Sequence, residues 1–88
     1  MKRIIEVSSH GTFLTLRQGS LVISRDRRDI ARVPLEDLGA LVLANGAANA
    51  TSALLAAIAA KGGVTVLCGR DHQPEGALLP LRAHTTRS

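Results

Sequence analysis

The side chains that could make or break bonds are few in this sequence, and most sit near a turn residue. Asp71, His72 and Glu75 fall within five positions, and carboxylates with an imidazole are the ligand types of a hard metal or zinc. A zinc or similar site needs a fourth ligand and groups that orient the first ones, and neither is apparent nearby. Plain loop polarity accounts for the same three residues. Cys68 and His72 are spaced so that a loop imidazole could turn back on a thiol. A reactive thiol needs an electropositive, partly open setting. Cys68 ends an apolar run, which suits a small buried hydrophobe better. Glu36 and Asp37 are adjacent carboxylates, but they follow Pro34 in what reads as the first turn of a short helix, where the dipole favours acids. Residues 45–51 precede a helix and could offer backbone N–H groups to a phosphate. They contain one glycine, Gly46, and match neither glycine-rich phosphate-binding pattern.

Binding chemistry is better represented than catalysis. The chain carries a formal charge of +4. Residues 1–33 hold seven lysines and arginines against three acids, whereas residues 34–88 are balanced. Arg25, Arg27 and Arg28 surround one turn, and His10 occupies another. A localised positive surface suits a polyanion, of which nucleic acid is the usual one. An imidazole can also stack on a base or meet a phosphate. These four residues are the candidate DNA contacts, against the plainer reading of a solvated charged face.

The elements that must position them follow from period and punctuation. Residues 3–8, 12–17, 20–25 and 29–33 alternate or run apolar as strands do. Gln18-Gly19 reads as a tight hairpin turn, His10-Gly11 as the turn of a first hairpin, and residues 26–28 as a third. After Pro34 the period changes. A helical turn, a short apolar strand over 40–44 and a small-residue loop over 45–50 lead to a helix from Thr51 or Ser52 to about Lys61. Leu54, Leu55 and Ile58 form its apolar stripe, and Gly62-Gly63 ends it. Residues 64–68 read as a strand buried on both faces, so a right-handed parallel strand–helix–strand unit is expected. Residues 77–81 make a last strand edged by Pro80. The predicted class is α+β, mainly β. It has barrel-like or sandwiched antiparallel strands over 1–33, then the strand–helix–strand unit and a final short strand. The expected domain spans 1–81, with 82–88 a polar basic tail.

Eighty-eight residues suffice for one domain. The hydrophobic share is 45%, and Phe13 is the single aromatic, so the core must be aliphatic. Cys68 is the only cysteine, which excludes an intrachain disulfide and suits a reducing compartment. No apolar run approaches the roughly 20 residues that span a bilayer. Glu6, Ser8, Ser9 and His10 break any leader-like stretch after Lys2 and Arg3. The expected location is cytoplasmic, with no membrane partner.

Four segments in order, RIIEVSSHGTFLTLRQGSLVI, VPLEDLGALVL, TSALLAAIAAKGGVTVLC and QPEGALLPLRAH, resemble the N-terminal β-domain of the CRISPR-associated endonuclease or integrase of spacer acquisition, in its type II-like form. The resemblance covers essentially the whole chain. It implies a compact β-rich domain that pairs with its copy in a homodimer. It also implies a small ferredoxin-like partner subunit and double-stranded DNA that is joined into the repeat array. Catalysis in that family depends on magnesium or manganese held by acids and a histidine of a helical domain. No such residue can be carried onto this sequence, where His72 and His84 lie in the β-domain and its exit. The expectation is therefore a dimerising, DNA-facing domain without catalysis or cofactor of its own. Phe13, Val22 and Ile30 are its expected dimer surface. A free-standing β-rich interaction module unconnected with DNA is the alternative from another class.

Overall fold

The computed structural model describes residues 2–44, 48–71 and 73–81. Strands β1 (Arg3–Val7), β2 (Thr12–Arg17), β3 (Ser20–Arg25) and β4 (Arg28–Pro34) are followed by a single 3-10 turn, Leu35–Asp37. Then come β5 (Leu38–Ala44), β6 (Ala48–Ala50), helix α1 (Ser52–Ala60), β7 (Val64–Cys68) and β8 (Pro74–Leu78). They form two mixed sheets, in the orders β1-β5-β7-β8 and β4-β3-β2-β6. The class is α+β, mainly β, without barrel closure.

The hairpins β2–β3 and β3–β4 form where the turn residues require them. Gln18 and Gly19 both have positive φ, 51° and 74°, the primed turn that matches strand twist. Asp26 and Arg27 make the second two-residue turn with φ of 52° and 67° and no glycine.

The first hairpin is not formed. β1 leaves sheet neighbour β2 and pairs parallel with β5, Val7 opposite Leu43. The cause lies in β1 itself, where Ile4, Ile5 and Val7 put apolar groups on both faces. An antiparallel strand with one solvated face would alternate, while a strand of a parallel sheet need not.

The parallel β5–α1–β7 unit is present, with Ala40 opposite Val64 and Ala44 opposite Cys68. Inside the crossover, β6 adds three residues to the other sheet, with Thr12 opposite Ala48. Ala48, Asn49 and Ala50 carry no β-branched signal, so this segment read as loop. β8 begins at Pro74, three residues earlier than its pattern suggested. At an edge, Pro74 loses no ladder bond. β7 is covered on one side only: Leu67 is 41% exposed, contrary to a strand buried on both faces.

The core lies between the sheets and beneath α1. Leu14, Leu21 and Val33 meet Val7, Leu41 and Leu43, with Leu35, Leu38, Leu54 and Ile58 completing the cluster. Each such aliphatic side chain contributes about 1.5–3 kcal/mol on burial, which compensates for the lack of aromatics. Helix α1 starts where the Thr51 hydroxyl accepts a hydrogen bond from the Leu54 N–H at 3.2 Å. It ends where the Gly63 N–H reaches back to the Ile58 carbonyl at 2.8 Å, with Gly62 left-handed at φ 86°.

Candidate nucleic-acid interface

The topology collects the candidate DNA contacts at one end of the molecule. β1, β5 and β7 run parallel and end together at Val7, Ala44 and Cys68. β2 starts at this end, because Thr12 lies opposite Arg25 and, on its other side, opposite Ala48. The loop holding His10, the tip of the β3–β4 hairpin and the loop after β7 therefore share one pole. Arg25 and Arg28 face each other across the hairpin tip, with Asp26 and Arg27 between them. His10, Arg25, Arg27 and Arg28 are all exposed.

Arg70 joins this pole from the β7–β8 loop and is exposed as well. The loop is held by the Gly69 N–H to the Gln73 carbonyl at 2.8 Å, and by the Asp71 carboxylate accepting from the Gln73 N–H at 3.1 Å. Sequence inspection passed over Arg70. The signal was there: a parallel strand–helix–strand unit sends the loop after its second strand to the same end as the loop after its first.

A groove of about 200 Å³ opens at the pole, lined by Val7, Ser8, Ser9, Thr12, Arg25 and Ile30 among others. Two serines, an arginine and apolar walls provide donors and a charge for a phosphate or sugar at the groove's mouth. The Thr12 hydroxyl is engaged with the Ser9 carbonyl at 2.7 Å, so it braces the loop rather than presenting a donor.

The expected dimer residues do not form one patch. Phe13 is 52% exposed on the face of β2 that points away from the core. Ile30 is 56% exposed, but it lines the polar groove with Ile23. Val22 is only 1% exposed and is not available to a partner. The reason is a polar clasp over β3. Arg17 lies opposite Ser20, and Asp29 lies opposite Ser24, so Val22 sits between them on the same face. The Arg17 guanidinium donates to the Asp29 carboxylate at 2.9 Å, and the Ser24 hydroxyl donates to its other oxygen at 2.8 Å. The arginine stem thus crosses Val22, as long cationic side chains do over apolar surface. The Ser24 hydrogen bond, and then Arg17, hold the Asp29 carboxyl below its ordinary value.

The remaining candidates are not assembled into sites. Cys68 is half-buried at the end of β7. Glu36 and Asp37 lie in the 3-10 turn at the opposite pole. Among the described residues, no three His, Cys, Asp or Glu side chains come together as metal ligands, so no step through a metal is derived from them. His72, His84, the tail 82–88 and the centre of the 45–51 loop lie outside the described residues. Among the described residues no helix is long and apolar enough to cross a membrane.

The family model for CRISPR associated protein Cas1 matches residues 5–88. The chain belongs to the Cas1 family. Solved structures agree on the fold at low identity. A partial Cas6-RT-Cas1–Cas2 complex has a TM-score of 0.82 and 16% identity over 99% of this chain. A TtCas1–DNA complex has 0.70 and 18% over 92%, and a casposase bound to integration product 0.70 and 15% over 93%. The chain spans about a quarter of the length of those proteins, 27%, 26% and 28% respectively. A search of curated proteins returns no match. As a Cas1 chain, it takes its place among proteins of CRISPR spacer acquisition, and the region described is the β-domain.

Proposed function

We propose that this chain is the DNA-facing, self-associating β-domain of a Cas1 integrase. The whole protein would join short duplex DNA into a CRISPR array, with a magnesium- or manganese-dependent active site built elsewhere and a small ferredoxin-like subunit as partner. One observation carries the DNA-facing role: four of the arginines and His10 gather at a single pole, although they come from three separate loops. Family membership and the fold likeness to a Cas1–DNA complex and an integrase support the reading. The contacts would be to phosphate, since arginines on exposed turns position a backbone without reading bases.

Amide hydrogen exchange with and without a short duplex tests this at low salt. Slowed exchange should concentrate in residues 8–11, 25–28 and 69–71. Slowing at the other pole, around Gly19, Glu36 and Lys61, would overturn the assignment.

A further inference from the structure

Of the four sheet edges, three are guarded. β4 carries Arg28, Asp29 and Arg32 and an irregular register near Ile23/Ser24. β8 starts with Pro74 and contains Gly76, and β6 is three residues long. Charges, prolines, bulges and shortness are the usual protections against edge pairing. β1 has none of them at its centre. It pairs with β5 alone, and its register shift arises where β5 skips Gly39. Ile5 and Val7 turn to the core, so Ile4 and Glu6 point the other way. Ile4 is 74% exposed, the highest value among the exposed large hydrophobic residues. On the same side, Lys2 precedes Ile4 by two positions and Glu6 follows by two.

We infer that β1 pairs antiparallel with β1 of a second copy, about a two-fold axis through Ile4, giving one continuous eight-stranded sheet. The pattern Lys2–Ile4–Glu6 is its own complement in that register. Ile4 meets Ile4 of the second copy, and each Lys2 meets the second copy's Glu6. Directly opposite residues in antiparallel strands point to the same face, where an apolar pair and opposite charges both stabilise. Lys2 is already held in place: its ammonium donates to the Glu36 carbonyl at 2.8 Å, which leaves two further protons for a carboxylate. The pairing also leaves both basic poles open, at opposite ends of the assembly. This inference rests on the self-association proposed above and assigns it a surface other than Phe13 and Ile30.

Sedimentation equilibrium of the 88-residue chain tests it by charge exchange. Lys2→Glu alone and Glu6→Lys alone each place two like-charged pairs in the interface, and each should raise the dimer dissociation constant about tenfold or more. The double variant, and an equimolar mixture of the two single variants, should return to within about threefold of the starting protein. All four substitutions are at exposed positions, and equal melting temperatures at high dilution would exclude misfolding. A dimer whose constant is unmoved by the single changes, or that the double change fails to restore, overturns the β1 interface while leaving self-association standing. A starting protein that is monomeric throughout the micromolar range overturns both.

Discussion

Replacing Arg27 with glycine should make the domain more stable and a weaker DNA binder at once. Arg27 stands at φ 67° in the β3–β4 turn. The left-handed conformation costs an L-residue roughly 1–2 kcal/mol, and glycine enters it freely. Glycine returns about 0.5–1 kcal/mol through the greater freedom of its unfolded chain. The net gain is about 0.5–1 kcal/mol, worth roughly 2–8 °C in melting temperature for a domain of this size. On the binding side, three phosphate contacts from Arg25, Arg27 and Arg28 would give a logarithmic salt slope of about −2.7, and losing one would bring it to about −1.8. Between 50 and 200 mM salt the affinity should then fall roughly twelvefold instead of roughly fortyfold. Thermal unfolding by circular dichroism and fluorescence anisotropy with a labelled duplex read the two effects. Asp26→Gly is the internal control, since it relieves the same strain at φ 52° and removes no cation. A lower melting temperature for Arg27→Gly, or an unchanged salt slope, would refute the argument that this turn stores strain in order to display a charge.

Thr51→Ala removes the hydroxyl that caps α1 and should cost about 1 kcal/mol in denaturant unfolding. Gly63→Ala would set a methyl 2.7 Å from the Ile58 side chain and 3.2 Å from its carbonyl oxygen, and should destabilise by about 1–3 kcal/mol in the same assay. Asp29 has a folded pKa below its unfolded value of 3.8, so the stability it contributes is complete above that value and is lost as pH falls through the folded pKa. An acid titration of the melting temperature should show a steeper decline below that point for the parent protein than for Asp29→Asn.

The hairpins and the helix were legible in the sequence because their determinants are local. Gln18-Gly19, Thr51 and Gly62-Gly63 each act within a few residues of where they stand. The partner of β1 was not legible. Whether Arg3–Val7 joins β2 or β5 is decided by contacts 36 residues away, Ile5 with Leu41 and Val7 with Leu43, and a nearby turn at His10-Gly11 points to the wrong neighbour. β6 was hidden for a different reason, since alanines and an asparagine pair by main chain alone. At the candidate interface, charge placement identified Arg25, Arg27 and Arg28, but joining His10 and Arg70 to them required the parallel direction of β1, β5 and β7. Val22 misled because a period-2 pattern cannot show that Arg17 and Asp29 close over it.

The central claim, that the basic pole faces a nucleic-acid backbone, is tested most directly by the salt dependence of duplex binding with and without its arginines. Anisotropy titrations between 50 and 200 mM salt should give a logarithmic slope of about −2.7 for the starting protein. They should give a slope near zero, with binding barely measurable, when Arg25, Arg27 and Arg28 are all replaced by alanine. A triple variant that keeps both the affinity and the slope would contradict the account and place the DNA on another surface of the domain.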